Sequence, residues 1–280
     1  MNIITVINAK GGCGKSTIAM SLASGLARYG HRVLLMDLDP QAQVTQWLGA
    51  GDGLSADGTL VAALMRQQTL SDVIQPTGFE RLSFVASADG LEDLGREISQ
   101  TEGYPSMLTQ LLAEEHIADR FDFMVIDSPN QISPIMENAI FPADAFIVPF
   151  ESTKAVKSYA SIYKLLLKLR PSGDFRLLHV LSNLTRLPGL RKRVLALMRD
   201  DSMSSARTEI RSCGWLAQVD ENGGSIFHYR PLSKGAQDMA ALVEEVRDLF
   251  SNGPSAHPEA ADALSSVEEP QSDAAAALSA

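Results

Sequence analysis

The sequence predicts an α/β fold in which a mainly parallel, twisted sheet is flanked by helices on both faces. Apolar segments of strand length alternate with amphipathic segments of helical length over residues 1–250. The strand-like segments at 33–36 and 123–126 are apolar at every position, as in strands of a parallel sheet that are covered on both faces. Three such segments end in glycine-rich or aspartate-containing turns, and ligands bind at that edge of open α/β sheets.

The first elements are a strand, a turn and a helix. An apolar run at 3–7 precedes a glycine-rich turn, and an amphipathic stretch at 16–29 predicts a helix that Gly30 ends. The later strands are predicted at 33–36, 82–86, 123–127, 145–149 and 177–181, with a short one at 209–210. The later helices are predicted at 59–66, 89–98, 106–116, 153–169 and 232–250, with a surface loop at 51–57 and a turn at 70–74.

The composition limits the classes of protein to consider. The chain has 280 residues, of which 45% are hydrophobic, enough for one sizeable core and an appendage. Since no apolar run reaches about 18 residues, we expect no membrane span, and a strand that starts directly after Met1 argues against a secretory signal. The two cysteines, Cys13 and Cys213, predict neither a disulfide framework nor a metal knuckle, so we expect a cytoplasmic protein.

The composition changes abruptly near residue 251. Residues 252–280 consist largely of Ala, Ser, Pro and acidic residues, and they contain no Lys or Arg. Such a segment has too little apolar surface to order itself. We therefore expect one folded domain over 1–250 and a disordered acidic tail over 251–280.

The turn after the first strand has the composition of a phosphate-binding loop. Its residues are Lys10, Gly11, Gly12, Cys13, Gly14, Lys15, Ser16 and Thr17. Glycines allow a tight turn whose N–H groups point inward, and the next helix adds the positive end of its dipole. We expect Lys15 to contact the β- and γ-phosphates of a nucleotide and the Ser16 hydroxyl to contact Mg²⁺. Ala9 stands where the general pattern has its first glycine, and a second lysine, Lys10, opens the loop.

Two further strands end in carboxylates. Asp37 and Asp39 follow the strand at 33–36, and Asp127 closes the strand that begins at residue 123. An apolar strand closed by an aspartate is the Walker B pattern, in which the carboxylate holds a Mg²⁺-bound water. Asp-Pro sequences are also common in turns, so the weight of this observation comes from its combination with the glycine-rich loop.

The loop and the two carboxylate segments resemble those of the ParA/MinD family of deviant Walker A ATPases, over about residues 1–250. The resemblance implies a P-loop NTPase fold, ATP and Mg²⁺ as cofactors, and slow hydrolysis of ATP to ADP and phosphate. It also implies that Asp39 orients the attacking water and that Asp37 helps to organise the metal. Finally, it implies an ATP-bound homodimer in which Lys10 crosses the interface to the partner's phosphates, much as an arginine finger does.

The base of the nucleotide is expected near two later segments. Asn183 follows the strand at 177–181, and in ParA-like proteins an asparagine at this place commonly recognises adenine, since its amide donates and accepts together. A turn-forming asparagine is the alternative. The stretch 225–231, which ends at Pro231, resembles the family segment that closes over the base.

Local charge points to one class of partner. The net charge of −10 argues weakly against nucleic-acid binding over the whole surface, but residues 186–211 hold seven basic residues against three acidic ones. If the apolar positions of this stretch form the buried side of a helix, Lys192 and Arg199 point outward and Arg191 and Arg193 flank the buried side. We expect these four to contact DNA phosphates without sequence preference, the alternative being a solvated face with local ion pairs.

The resemblance leaves several functions open. The first is DNA-coupled positioning on the nucleoid of a plasmid, a chromosome or a large protein assembly, with hydrolysis stimulated by a ParB-like or adaptor protein. MinD-like positioning uses a basic amphipathic C-terminal helix on a membrane, whereas 252–280 lacks Lys and Arg, so no membrane partner is expected. A third function is that of a protein-only, ATP-dependent scaffold or regulator. A nitrogenase-type iron protein is disfavoured because Cys13 lies within the loop and leaves Cys213 alone for a cluster.

Overall fold

A computed structural model describes residues 1–49, 59–88, 90–183, 187–201, 203 and 205–251. Its strands are β1 Asn2–Val6, β2 Val33–Asp37, β3 Ile74–Pro76, β4 Leu82–Val85, β5 Phe123–Asp127, β6 Ala145–Phe150 and β7 Arg176–Leu181. Its α-helices are α1 Lys15–Arg28, α2 Gln43–Trp47, α3 Leu60–Leu64, α4 Leu70–Val73, α5 Leu91–Ile98, α6 Met107–Glu114, α7 Pro134–Ile140, α8 Thr153–Leu169, α9 Pro188–Asp200, α10 Val219–Asn222, α11 Ile226–Tyr229 and α12 Lys234–Ser251. The predicted α/β class is confirmed.

The strands form one sheet in the order β3-β4-β2-β5-β1-β6-β7. Every neighbouring pair is parallel except β3 and β4. Strand β1 therefore lies in the interior of the sheet, between β5 and β6. Strands β2, β3, β4 and β5 lie on one side of it, and β6 and β7 lie on the other. The carboxyl ends of β1, β5 and β2 lie side by side at one edge, which is where open α/β sheets bind ligands.

Helices cover both faces of the sheet, and the side chains of one strand alternate between them. Val33 and Leu35 of β2 belong to the apolar cluster that contains α1 and α12, whereas Leu34 and Met36 belong to the cluster on the other face. Helices α8 and α9 cover β6 and β7 in a third cluster, which includes Phe146. Because both faces are buried, the strands are apolar at successive positions, as the sequence predicted.

The structure differs from the sequence prediction mainly in short elements. The predicted turn at 70–74 is helix α4 followed by β3, an antiparallel edge strand. The predicted strand at 209–210 is an isolated bridge between Ile210 and Ser182, and α2 and α7 were not predicted. The helices and the strand among these elements have three to seven residues, too few for their periodicity to be distinctive. Ser251, assigned to the tail, ends α12, while the loop at 51–57 and residues 252–280 lie outside the described residues.

Gly25 allows a close contact between α1 and its neighbours, and we predict that a methyl group there is costly. A Cβ at this position would lie 2.5 Å from Cγ2 of Val243 and 3.1 Å from Cε2 of Phe227. Gly25→Ala is expected to lower the free energy of unfolding by about 1–3 kcal/mol despite the better helix propensity of alanine. Thermal unfolding measures this, with Gly189→Ala as the control, since a Cβ at Gly189 meets no atom within 4 Å. An unchanged melting temperature for Gly25→Ala would contradict the prediction.

Candidate nucleotide-binding site

The glycine-rich loop joins the end of β1 to the start of α1. Gly12 and Gly14 have φ values of +72° and +93°, a left-handed conformation that disfavours other residues. Gly14 directly precedes the first residue of α1, so the N-terminal N–H groups of that helix face the turn. Lys15 and Ser16 are buried, with 5% and 6% of their surfaces exposed to solvent. The loop thus has the geometry of an anion cradle, with its lysine and hydroxyl held inside it.

Two adjoining cavities open at the loop. The first, of about 230 Å³, is lined by Gly11, Gly12, Gly14, Lys15, Ser16, Thr17, Asp39, Gln41, Gln43, Trp47 and Asn130, together with residues 216, 217 and 219. The second, of about 240 Å³, shares part of the loop and adds Cys13, Ser182 and Asn183. Together they reach the volume of roughly 300–1,000 Å³ that small-molecule sites occupy. Asn130, Gln41, Gln43 and Trp47 are lining residues that sequence reasoning did not identify.

Asp37 is fully buried and holds the segment that carries Asp39. Its Oδ2 accepts hydrogen bonds from the backbone N–H and the hydroxyl of Thr45, at 2.9 and 2.8 Å, and its Oδ1 accepts one from the N–H of Asp39 at 3.1 Å. Burial raises the pKa of Asp37 to about 6, and these hydrogen bonds act against the increase. Both carboxylate oxygens of Asp37 already have protein partners, an arrangement that suits a residue that positions the Asp39 segment, and its role in organising the metal stays a prediction.

Asp127 is fully buried beside Asp37, its register partner on the adjacent strand β2. Neither of its carboxylate oxygens has a hydrogen-bond partner among the described residues. Burial, and then the charge of Asp37, raise its pKa well above the ordinary value, while the Ser16 hydroxyl and Lys15 lower it. A cation would stabilise the ionised form of this buried carboxylate, which has no hydrogen-bond partner among the described residues. Asp127 and Ser16 therefore fit a hydrated Mg²⁺, a hard ion that prefers oxygen ligands.

A family model described as an AAA domain, AAA_31, matches residues 1–171. The chromosome-partitioning ATPase Soj of Thermus thermophilus is 32% identical over 251 residues, which are 87% of this chain and 94% of Soj. The chain belongs to the ParA/MinD family of P-loop ATPases. The cell division protein PomZ of Myxococcus xanthus is a further relative, 28% identical over 251 residues, which are 86% of this chain and 76% of PomZ.

Solved structures share the fold of this ParA/MinD ATPase. Apo McdA of Cyanothece superposes with a TM-score of 0.78 at 22% identity, covering 88% of this chain and 99% of McdA. MinD of Pyrococcus horikoshii in complex with Mg-ADP superposes with a TM-score of 0.71 at 24% identity, covering 89% of this chain and 97% of MinD. These likenesses show the fold. That the chain is a P-loop ATPase follows from its membership of the family, and the positions of Asp127 and Ser16 fit a Mg²⁺ ion bound with ATP. None of the described helices combines the length and apolarity needed to cross a membrane.

Asparagine in place of Asp127 is predicted to stabilise the nucleotide-free protein while removing Mg²⁺-dependent nucleotide binding. A raised pKa means that the folded state binds the proton more tightly than the unfolded state. The resulting stability is present below the ordinary carboxyl pKa of about 4 and is lost as the pH rises through the raised pKa of Asp127. At pH 7.5 we expect Asp127→Asn to gain about 1–3 kcal/mol, or a few degrees of melting temperature.

Melting curves at pH 5 and 7.5 without Mg²⁺, and calorimetric titration with Mg-nucleotide, measure the two effects of Asp127→Asn. The control is Asp119→Asn, which changes an exposed carboxylate. Equal melting temperatures of Asp127→Asn and the wild type at pH 7.5 would show that the buried carboxylates do not oppose one another in the apo protein.

Lys10 lies at the mouth of the loop and does not line either cavity. Its Nζ forms an ion pair with Oε1 of Glu151 at 2.7 Å and donates to the carbonyl of Gly11 at 3.0 Å. Glu151 stands between β6 and α8, and sequence reasoning missed it because 141 residues separate it from Lys10. The two side chains are 30% and 21% exposed, so the pair is accessible to solvent.

The two residues expected near the base have different surroundings. Asn183, at φ +55°, lines the second cavity, and its Oδ1 accepts a hydrogen bond from Ser212 at 2.7 Å. This position is compatible with the predicted adenine contact and also with a turn-forming role. Pro231 follows helix α11 on the exposed surface and is not among the described residues that line the two cavities. Both assignments stay predictions.

The basic residues of the stretch at 186–211 have different surroundings in the structure: some are ion-paired and others are not. Arg191, one of the four expected DNA contacts, is ion-paired with Glu209, and Arg207 and Arg211 are paired with acidic residues of α12. These three arginines are thus engaged within the protein, and the DNA contact expected of Arg191 stays a prediction. Lys192, Arg193 and Arg199 lie exposed on α9 without an ion pair to another described residue. Arg186 lies outside the described residues.

Proposed function

We propose that this chain is a ParA-type positioning ATPase that works as a homodimer in the ATP-bound state. The position of Lys10 carries the proposal. The loop already has Lys15 for its own phosphates, and Lys10 lies outside its own cavity, held at the mouth by Glu151. From there it can reach an anion on a second molecule, and a γ-phosphate shared between two protomers would make ATP binding and dimerisation one event.

In the proposed reaction, the chain's own groups position the nucleotide and the water. Lys15 and the loop N–H groups bind the phosphates. Ser16, and Asp127 through water, would hold Mg²⁺, which would supply neutralisation of the charge that develops on the phosphates. The Asp39 carboxylate lines the phosphate side of the cavity and orients the attacking water. Positioning and charge neutralisation suffice for phosphoryl transfer, so hydrolysis is slow until a partner completes the site.

We propose that the ATP dimer binds DNA without sequence preference, associates with the nucleoid, and is released when an adaptor stimulates hydrolysis. The names of relatives support a positioning role but differ in cargo: chromosome partitioning for Soj, and maintenance of carboxysome distribution for a Synechococcus elongatus protein that is 31% identical over 159 residues. Because relatives with the same kind of ATPase domain position different cargoes, we propose that a ParB-like or adaptor partner selects the cargo of this protein. An acidic surface favours an adaptor with a basic segment.

Binding to duplex DNA in the presence of ATP, ADP or no nucleotide tests this function. We expect binding with ATP, weakening steeply with salt, and dimers by sedimentation in the same state. In cells, a fluorescent fusion is expected over the nucleoid, and the Lys15→Ala variant is expected to be diffuse. If the wild type dimerises with ATP but binds no DNA in any state, the function is that of a protein-only scaffold.

A further inference from the structure

Helix α8 presents four lysines along one side and contains no acidic residue. Lys154, Lys157, Lys164 and Lys168 are all exposed, and none forms an ion pair with another described residue. At 100° per residue the four lie within an arc of about 80°, and they extend over about 21 Å of helix. We refer to them as the α8 lysine stripe. Like charges at this spacing repel one another, so the stripe slightly destabilises the free protein.

The acidic residues at both ends of α8 are engaged with other partners. Glu151 precedes the helix and pairs with Lys10, while Asp174 follows it and pairs with Arg170 at 2.8 Å. The protein as a whole has 34 acidic and 24 basic residues, so a helix with lysines alone departs from the average surface. The stripe therefore creates a local positive potential on an acidic protein, and its ammonium groups are available to bind an external anion.

Helix α9 extends this positive potential but is less basic. It packs against α8 through Val194 and Met198, and Lys192 and Arg199 are exposed on it. However, α9 ends in a carboxylate, Asp200, and a second one, Asp201, follows it directly. Charge alone thus favours α8 as the stronger anion-binding surface of the pair.

We propose that the α8 lysine stripe is the main surface by which this ATPase holds the phosphate backbone of duplex DNA, with Lys192 and Arg199 beside it. This inference rests on the proposed function and assigns its DNA-binding surface. Duplex DNA carries one negative charge per about 1.7 Å of axis, and a row of ammonium groups contacts phosphates without reading bases. The apolar side of α8 is buried in the core, so the helix cannot insert into a membrane interface, as membrane-bound amphipathic helices do.

The stripe is physically connected to the nucleotide loop. Asn8, just before the loop, donates from Nδ2 to the carbonyl of Ala155 at 3.2 Å and accepts at Oδ1 from the hydroxyl of Ser158 at 2.9 Å. A homodimer that closes over two such loops holds two stripes in one assembly. Doubling the number of phosphate contacts raises affinity steeply, so ATP would control DNA binding through dimerisation alone, without a rearrangement of α8.

The test is a salt titration of duplex DNA binding with ATP, comparing the full-length wild type with Lys164→Gln/Lys168→Gln. These two lysines lie about 17–23 Å along α8 from its N-terminus, so we expect dimerisation to be unchanged and the melting temperature to be unchanged or slightly higher. Affinity is expected to fall by about tenfold or more. The slope of log K against log salt should become shallower by about 2–4, since each phosphate contact contributes about 0.9 and a dimer loses four lysines.

Two matched variants complete the experiment. Arg66→Gln/Arg96→Gln removes the same charge from positions after α3 and on α5, outside α8 and α9, and is expected to bind DNA like the wild type. If Lys164→Gln/Lys168→Gln keeps the wild-type slope while Lys192→Gln/Arg199→Gln loses binding, the surface is α9 and the inference fails while the proposed function stands. If the wild type binds no DNA in any nucleotide state, both fail. Stripe-dependent binding to phosphatidylserine vesicles in place of DNA would also overturn the inference.

Discussion

Alanine in place of Asp39 is expected to lower the rate of ATP hydrolysis by about 10²–10⁴-fold, the usual contribution of a positioned acid or base. Asp39 is 5% exposed and lines the phosphate side of the cavity. Its Oδ1 accepts from the N–H of Gln41 at 3.0 Å, and its carbonyl accepts from the Ser87 hydroxyl at 2.8 Å. The carboxylate is thus held in place before the nucleotide arrives, and its loss removes the group that orients the water.

Nucleotide binding and dimerisation should survive in Asp39→Ala, because the loop, Ser16 and Asp127 are unchanged. Phosphate release under saturating ATP measures the rate, and sedimentation with ATP measures the dimer. Asp39→Asn keeps the size and removes the charge, so an equal loss of rate would assign the effect to the carboxylate itself. Asp93→Ala, which loses an exposed ion pair with Arg96, is the control. Native phosphate release by Asp39→Ala would exclude Asp39 from catalysis.

The parts of the site that follow local sequence could be predicted. The loop residues are contiguous, and Asp127 ends an apolar strand, so composition and spacing were enough to bring them to one sheet edge. The residues that hold these side chains could not be predicted in the same way, because neither residue type nor spacing marks them. Thr45 holds Asp37 from eight positions along the chain, and Glu151 holds Lys10 from a distant part of it.

The basic stretch at 186–211 shows a second limit. Helical periodicity separated outward from flanking positions, but it did not show which arginines are ion-paired: Arg191, an expected DNA contact, pairs with Glu209, and Arg211 pairs with Asp238 of α12. Whether a charge is free to bind a partner depends on acids that the fold brings from elsewhere. The lysines of α8 show the opposite case. They are dispersed over 15 positions of the sequence, and the geometry of the helix brings them together on one side.

Alanine in place of Lys10 is expected to abolish ATP-dependent dimerisation while leaving ATP binding by the monomer intact. The ion pair between Lys10 and Glu151 is partly exposed, and such pairs contribute no more than about 1 kcal/mol. A lysine held this weakly can leave Glu151 for a phosphate, since charge-assisted contacts with phosphate in a closed interface are stronger. Lys15, 5% exposed inside the loop, remains to bind the protomer's own nucleotide.

Sedimentation of Lys10→Ala with ATP is expected to show monomers at concentrations where the wild type forms dimers, and nucleotide titration should give an affinity near that of the wild-type monomer. Glu151→Gln is the companion variant. It removes the competing carboxylate and keeps Lys10, so its dimer should form at equal or lower protein concentration. If Lys10 only stabilises the monomer through Glu151, both variants should behave alike, with intact ATP dimers and slightly lower melting temperatures. Opposite effects of the two substitutions on dimerisation would instead assign Lys10 to the partner's nucleotide.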